Sequence, residues 1–151
     1  MAAFTEYNSG LKTSGFLQEI LKPRYSGVSL LGCLFMRVEN YDSIVQRFGH
    51  VRAETAAIQT GKRLQEALGD AAELVRHGTN TYLALIPCNG ELRSWGDVCK
   101  WYVQQKPVFV CDKPVDVVLS VGAAHRHSWE SVDALVERAD NDLLEQLEVR
   151  S

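Results

Sequence analysis

The run VSLLGCLFMRV, residues 28 to 38, is largely apolar on both of its alternating faces until Arg37. Successive side chains of a strand point to opposite sides, so a segment apolar on both must be covered on both. That is the position of a central strand with packed layers above and below it. A chain of 151 residues is long enough for one domain with such a core, and it reads as a single domain over 1–151, taken from or part of a longer protein. Its 46% hydrophobic and 23% charged residues describe an ordinary folded protein, not a disordered one. The formal charge of -3 gives no general attraction to phosphate backbones, which argues against nucleic acid as a partner. No apolar run reaches membrane-spanning length, and MAAFTEYNSG lacks a basic stretch followed by an apolar one. The expectation is a cytoplasmic domain without direct membrane insertion, a description that also fits the cytoplasmic part of a membrane-associated protein. Cys33, Cys88, Cys99 and Cys111 sit beside apolar residues and form no CxxC pair, as reduced, mostly buried thiols would.

The remaining elements follow from spacing. Residues 1 to 9 are weakly patterned. Ser14 is placed to cap a short helix carrying Phe16, Leu17, Ile20 and Leu21, closed by Pro23. Asn40 stands as a cap for YDSIVQRF, which Gly49 stops. Residues 52 to 68 form the clearest helix, with Ala53, Ala57, Thr60, Leu64 and Leu68 on one face. A polar, glycine-bearing knot then separates Leu74–Arg76 from Tyr82–Ile86, as the tip of a hairpin does, and such tips often carry chemistry. Residues 91 to 105 have helical spacing, 107 to 111 read as a short edge strand, and 115 to 124 as a second strong strand. Ser128 or Ser131 caps a final helix that uses Val132, Leu135, Val136, Ala139, Leu143, Leu144 and Leu147. Helices alternating with strands around a central hairpin imply an α/β (α+β) domain with one mixed sheet and helices across it.

Five stretches in this order resemble the GGDEF family, the diguanylate cyclase domains of bacterial signalling. NSGLKTSGFLQEIL is similar to the opening LTGLxNRxxFxxxL, and FMRVENYDSIVQRFGH to DxDxFKxxNDxxGH. RHGTNTY stands where RxGGDEF belongs, LSVGAA resembles an S-[IV]-G strand, and LVERADNDLL resembles LLxxADxALY. The resemblance implies a five-stranded mixed or antiparallel sheet flanked by helices, related to the ferredoxin-like palm of nucleotide cyclases. It also implies a reaction, the condensation of two GTP molecules into cyclic di-GMP, with divalent metals held by carboxylates to neutralise phosphoryl charge.

Position by position, the chemistry departs from that pattern. The first metal aspartate falls on Arg37, a fixed cation that repels a metal and cannot ligate it. The first acid of the signature falls on Asn80, with Thr81 at the adjacent glutamate and Thr79 at the second glycine, between Gly78 and Tyr82. The asparagine that contacts guanine falls on Val45, and the aspartate that reads its edge on the longer Glu54. A phosphate-contacting lysine falls on Leu147, and the arginine after it on Ser151. The inhibitory RxxD site reads Gly69, Asp70, Ala71, Ala72. Arg76 keeps the arginine before the signature, so Arg37 and Arg76 are the two candidate contacts for phosphate or another anion.

Duller accounts stand beside these. A strand-terminal arginine such as Arg37 more often emerges into solvent or pairs with a neighbour such as Glu39 than binds an anion, and an acid such as Glu54 is favoured near a helix start. His125 and His127, without carboxylate or cysteine support, read as surface loop and not as a metal site, and His50 as part of a turn. Trp95 and Trp101 divide between core packing and an exposed face. The expectation is a catalytically inactive regulatory or protein-interaction module, without cofactor or metal, beside a linked EAL phosphodiesterase or sensor domain or in a homodimer. The alternative is a metal-independent sensor of GTP or another nucleotide.

Overall fold

The computed structural model describes residues 5–6, 10–88, 90–128 and 130–150. Helix α1 opens at Ser14–Phe16, takes π geometry at Leu17–Leu21 and ends in Lys22–Tyr25. Strand β1 is Gly32–Val38, followed by α2 (Tyr41–Phe48) and α3 (His50–Leu68). The hairpin is β2 (Glu73–Arg76) and β3 (Thr81–Ile86). After it come α4 (Leu92–Gln104), β4 (Val108–Val110), β5 (Lys113–Val115), β6 (Leu119–His125) and α5 (Val132–Arg150).

The order β2-β3-β1-β6 puts β1 inside a four-stranded sheet whose strand pairs are antiparallel. The parallel component among the described residues is one bridge, Lys12 to Val75. Its alternation serves two cores, as the doubly apolar run requires. Leu34, Met36 and Val38 pack with α3 and α4, while Cys33 and Phe35 pack with α1 and α5. The helix-flanked α/β architecture is as expected. The strands number six instead of five, because β4 and β5 form a separate two-stranded sheet. The expected edge strand at 107–111 therefore pairs with β5, around Cys111 and Asp112, both at positive φ (51° and 64°).

Other boundaries moved for reasons that lie far along the chain. β1 begins at Gly32 and not at Val28, because Arg126 donates to the carbonyls of Tyr25, Ser26 and Val28 and holds that stretch as a loop. The strand expected from residue 115 begins at Leu119. Asn40 takes the preceding turn, donating to Asp116 O (2.7 Å) and accepting from Val118 N (3.0 Å). Asn40 thus sits at the start of α2 but spends its amide elsewhere and makes no cap bond. Ser14 lies inside α1, and its hydroxyl donates to His77 O at 3.3 Å. Pro23 does not close α1, since the helix runs on to Tyr25. Lys22 N bonds Leu17 O, five residues back, and the wider turn accommodates a residue that lacks an N–H. Ser131 does cap α5, accepting from Ala134 N at 3.1 Å. Cys33 and Cys99 are buried, and burial pushes the Cys99 thiol up to about 12; Cys88 is half-buried, Cys111 exposed, and all four are free.

Just ahead of α5, Glu130 accepts from Arg138 Nε (2.6 Å) and Nη2 (2.7 Å) and from His127 N (3.0 Å). The Arg138 bonds, with the His127 amide in support, lower its carboxyl from 4.5 to about 2. A depressed carboxyl stabilises the fold fully above its unfolded value and loses that contribution as pH falls through the folded one. Glu130→Gln should therefore flatten the fall of the unfolding midpoint between pH 4.5 and about 2, as followed by urea titration at stepped pH. An acid limb identical to that of the unmodified protein would show that the pair contributes nothing there.

Candidate functional site

The hairpin tip and the end of β1 meet because register brings them together: Arg37 lies opposite Thr81 on one side and Ser120 on the other. Val38 N donates to Asn80 O (2.9 Å), and Asn80 Nδ2 donates to Val38 O (3.0 Å). The Asn80 amide thus closes the strand end, turned to the backbone of β1. Arg37 pairs with neither Glu39 nor solvent alone: its Nη2 lies 3.6 Å from Asp140 Oδ1 on α5. That oxygen and Oε1 of Glu39, just past the end of β1, are buried without a hydrogen-bond partner. Arg37 is therefore the cation that offsets Asp140, a carboxylate the spacing did not single out. His77 sets its ring edge against Phe35 at 5.5 Å between centroids. Burial lowers its imidazole below the ordinary value, with Asp140 acting in the opposite direction.

A second cluster lies on the other side of the loop. Arg76, only 7% exposed, forks onto Glu54 with both distances 2.6 Å, and its Nη2 also donates to Thr79 O at 2.6 Å. Glu6 adds a weaker contact at 3.3 and 3.4 Å. These hydrogen bonds and charges outweigh burial and raise the guanidinium above its already high value. A cavity of about 450 Å³ opens here, lined by Ser14, Glu54, Arg76, His77, Gly78 and Thr79 among others. The anion contact expected of Arg76 meets a side chain whose terminal nitrogens are engaged by carboxylates. Glu6 was illegible because it stands in a stretch without periodicity.

Of the other candidates, Val45 packs against the α3–α4 core, and Leu147 against the core beneath α5. Tyr82 is fully buried against α3, its hydroxyl donating to Ala57 O at 2.5 Å. Ser151 lies outside the described residues. Gly69–Ala71 form a single 3₁₀ turn with no arginine in it. His125, His127 and His50 are exposed, Trp95 leans on the core and Trp101 stands 61% exposed. No group of three or more His, Cys, Asp or Glu among the described residues is disposed to hold a metal. The divalent ions implied by the resemblance need charged oxygen ligands, and Arg37 with Asn80 does not provide them.

The antiparallel sheet, its hairpin and the flanking helices define a palm-like α/β domain. The family model described as diguanylate cyclase, GGDEF domain, matches residues 9–149, so the chain belongs to the GGDEF family. A sensory box/GGDEF family protein from Caulobacter crescentus superposes with a TM-score of 0.85 at 18% identity, over 97% of this chain and 99% of that one. Diguanylate cyclase SiaD from Pseudomonas aeruginosa, solved in complex with its activator SiaC, gives 0.84 at 21% identity over 98% of this chain and 59% of that one. The GGDEF domain of DgcB from Caulobacter crescentus, solved in complex with c-di-GMP, gives 0.80 at 15% over 97% and 91%. At these identities the likeness speaks for the fold. No curated protein sequence matches the chain significantly. No helix among the described residues is long and apolar enough to cross a membrane.

Proposed function

We propose that this domain is a catalytically silent GGDEF module that regulates by protein contact within cyclic di-GMP signalling. The observation that supports it most is Arg37, a cation ion-paired to Asp140 at the position the family pattern gives to its first metal carboxylate. Asn80, bonded to the β1 backbone, adds no charge to the second position. Without two carboxylates, developing phosphoryl charge has no metal clamp to stabilise it. Val45 and Leu147, both turned to packing, remove a guanine contact and a phosphate contact. On this reading the domain needs neither metal nor cofactor. Its partner is a linked EAL or sensor domain, a separate protein, or a second copy. That SiaD was solved with an activator protein fits regulation through contacts between proteins.

The second reading, a metal-independent nucleotide sensor, rests on the cavity beside Arg76. Calorimetric titration separates the two. With GTP and with cyclic di-GMP, each with and without magnesium, the expected result is no binding tighter than about 1 mM and no cyclic di-GMP formed. GTP binding without magnesium that disappears in a folded Arg76→Ala variant would establish the sensor instead. Magnesium-dependent turnover would overturn both.

A further inference from the structure

Strand β6 is an edge of the sheet, with β1 on one side and no strand on the other among the described residues. Val118 O accepts from Glu39 N, and Arg126 N donates to Leu31 O, so the even-numbered residues of this stretch turn their backbone groups toward β1. The odd-numbered residues, Leu119, Val121, Ala123 and His125, turn theirs outward.

Side chains from the two flanking helices meet that outer row. Gln104 of α4 accepts from Leu119 N at 2.8 Å, and Asp142 of α5 accepts from Ala123 N at 2.8 Å. Arg138 of α5 donates to His125 O. Asp142 is held in place by Gln146 Nε2 at 2.9 Å and by Arg93 at 3.8 Å. Val121 is the open rung between the caps, half-exposed on the wall of a cavity of about 190 Å³ that it shares with Gly96, Lys100 and Gln146. In the family pattern LLxxADxALY, alanine stands where this chain has Asp142, so that cap belongs to this chain's own sequence.

An unpaired strand edge is a template for another strand, and a free edge pairs readily with a copy of itself. Here the row is occupied from both helices at three of its four outward positions. We propose that Gln104, Asp142 and Arg138 guard the β6 edge, closing the sheet to antiparallel strand addition by a second copy of this chain. Any self-association of the unmodified domain then uses another surface. Removing the caps leaves outward amides that a second β6 satisfies.

Amide exchange and light scattering on the whole domain test this. In the unmodified protein the Leu119 and Ala123 amides should exchange slowly and Val121 fast. Equally fast exchange at all three would overturn the proposal without any variant. Gln104→Ala/Asp142→Ala should double its mass relative to the unmodified domain as concentration rises, with Val121 becoming protected. A folded double variant with the original mass and a fast Val121 amide would overturn it as well. Asp142→Asn keeps an acceptor oxygen and should behave as the unmodified protein does. If it associates as strongly as the double variant, hydrogen bonding is not what guards the edge.

Discussion

Gly122→Ala is expected to destabilise this domain more than any other single-methyl change on β6. A methyl at that position would stand 2.2 Å from Ala139 O and 2.6 Å from Leu143 N, both backbone atoms of α5. Neither can rotate aside, so the helix must lift from the strand and open the core formed by Cys33, Phe35, Ala139 and Leu143. The cost is about 3 kcal/mol, a drop of roughly 6–12 °C in melting temperature for a domain of this size. Gly96→Ala serves as the control. Its methyl would meet Val121 Cγ1 at 3.2 Å, the end of a side chain, and the helix gains propensity. Thermal unfolding of the pair should show a large loss beside a change near zero. Equal melting temperatures would mean that α5 does not seat on Gly122 as closely as described.

Arg76→Ala comes second. It leaves Glu54 and Glu6 facing one another across the cavity and frees Thr79 O, while the buried stem of the arginine is lost as well. Breaking a fully buried pair costs about 3–5 kcal/mol. Glu54 is 39% exposed, and water recovers part of that loss, so about 2–3 kcal/mol is expected. A double-mutant cycle with Glu54→Ala isolates the fork from the stem. Coupling above about 1 kcal/mol is the expected result. Arg76→Lys should recover only part of it, because an ammonium cannot span both carboxylate oxygens. Coupling near zero would show that Arg76 stabilises by packing alone, and its side chain would then again be free to meet an anion.

Side-chain pattern marks the elements of this chain better than their ends. The α3 periodicity, the hairpin, the doubly apolar β1 and the α5 face, apart from Leu144 at 42% exposure, all stand in the structure, because each is a local consequence of side-chain period. The ends of β1 and β6 were set instead by Arg126 and Asn40, whose hydrogen bonds reach about a hundred and nearly eighty residues along the chain. Nothing in the spacing of an arginine reveals which carbonyls it will meet. Pro23 misled for a different reason: a π turn just ahead of it let the helix continue. At the site, residue type alone makes Arg37 a cation and Asn80 a neutral amide.

Side-chain chemistry by itself decided the charge of Arg37 and its absence at Asn80, the absence of a polar atom at Val45, and the family to which the chain belongs. Those are properties of single residues and survive in any fold. Only the tertiary structure decided that Asp140 answers Arg37, that Glu54 and Glu6 engage Arg76, and that Gln104 and Asp142 close an edge. Each joins groups on different elements, and a hydrogen bond or ion pair is set by distances that exist only once the chain has packed.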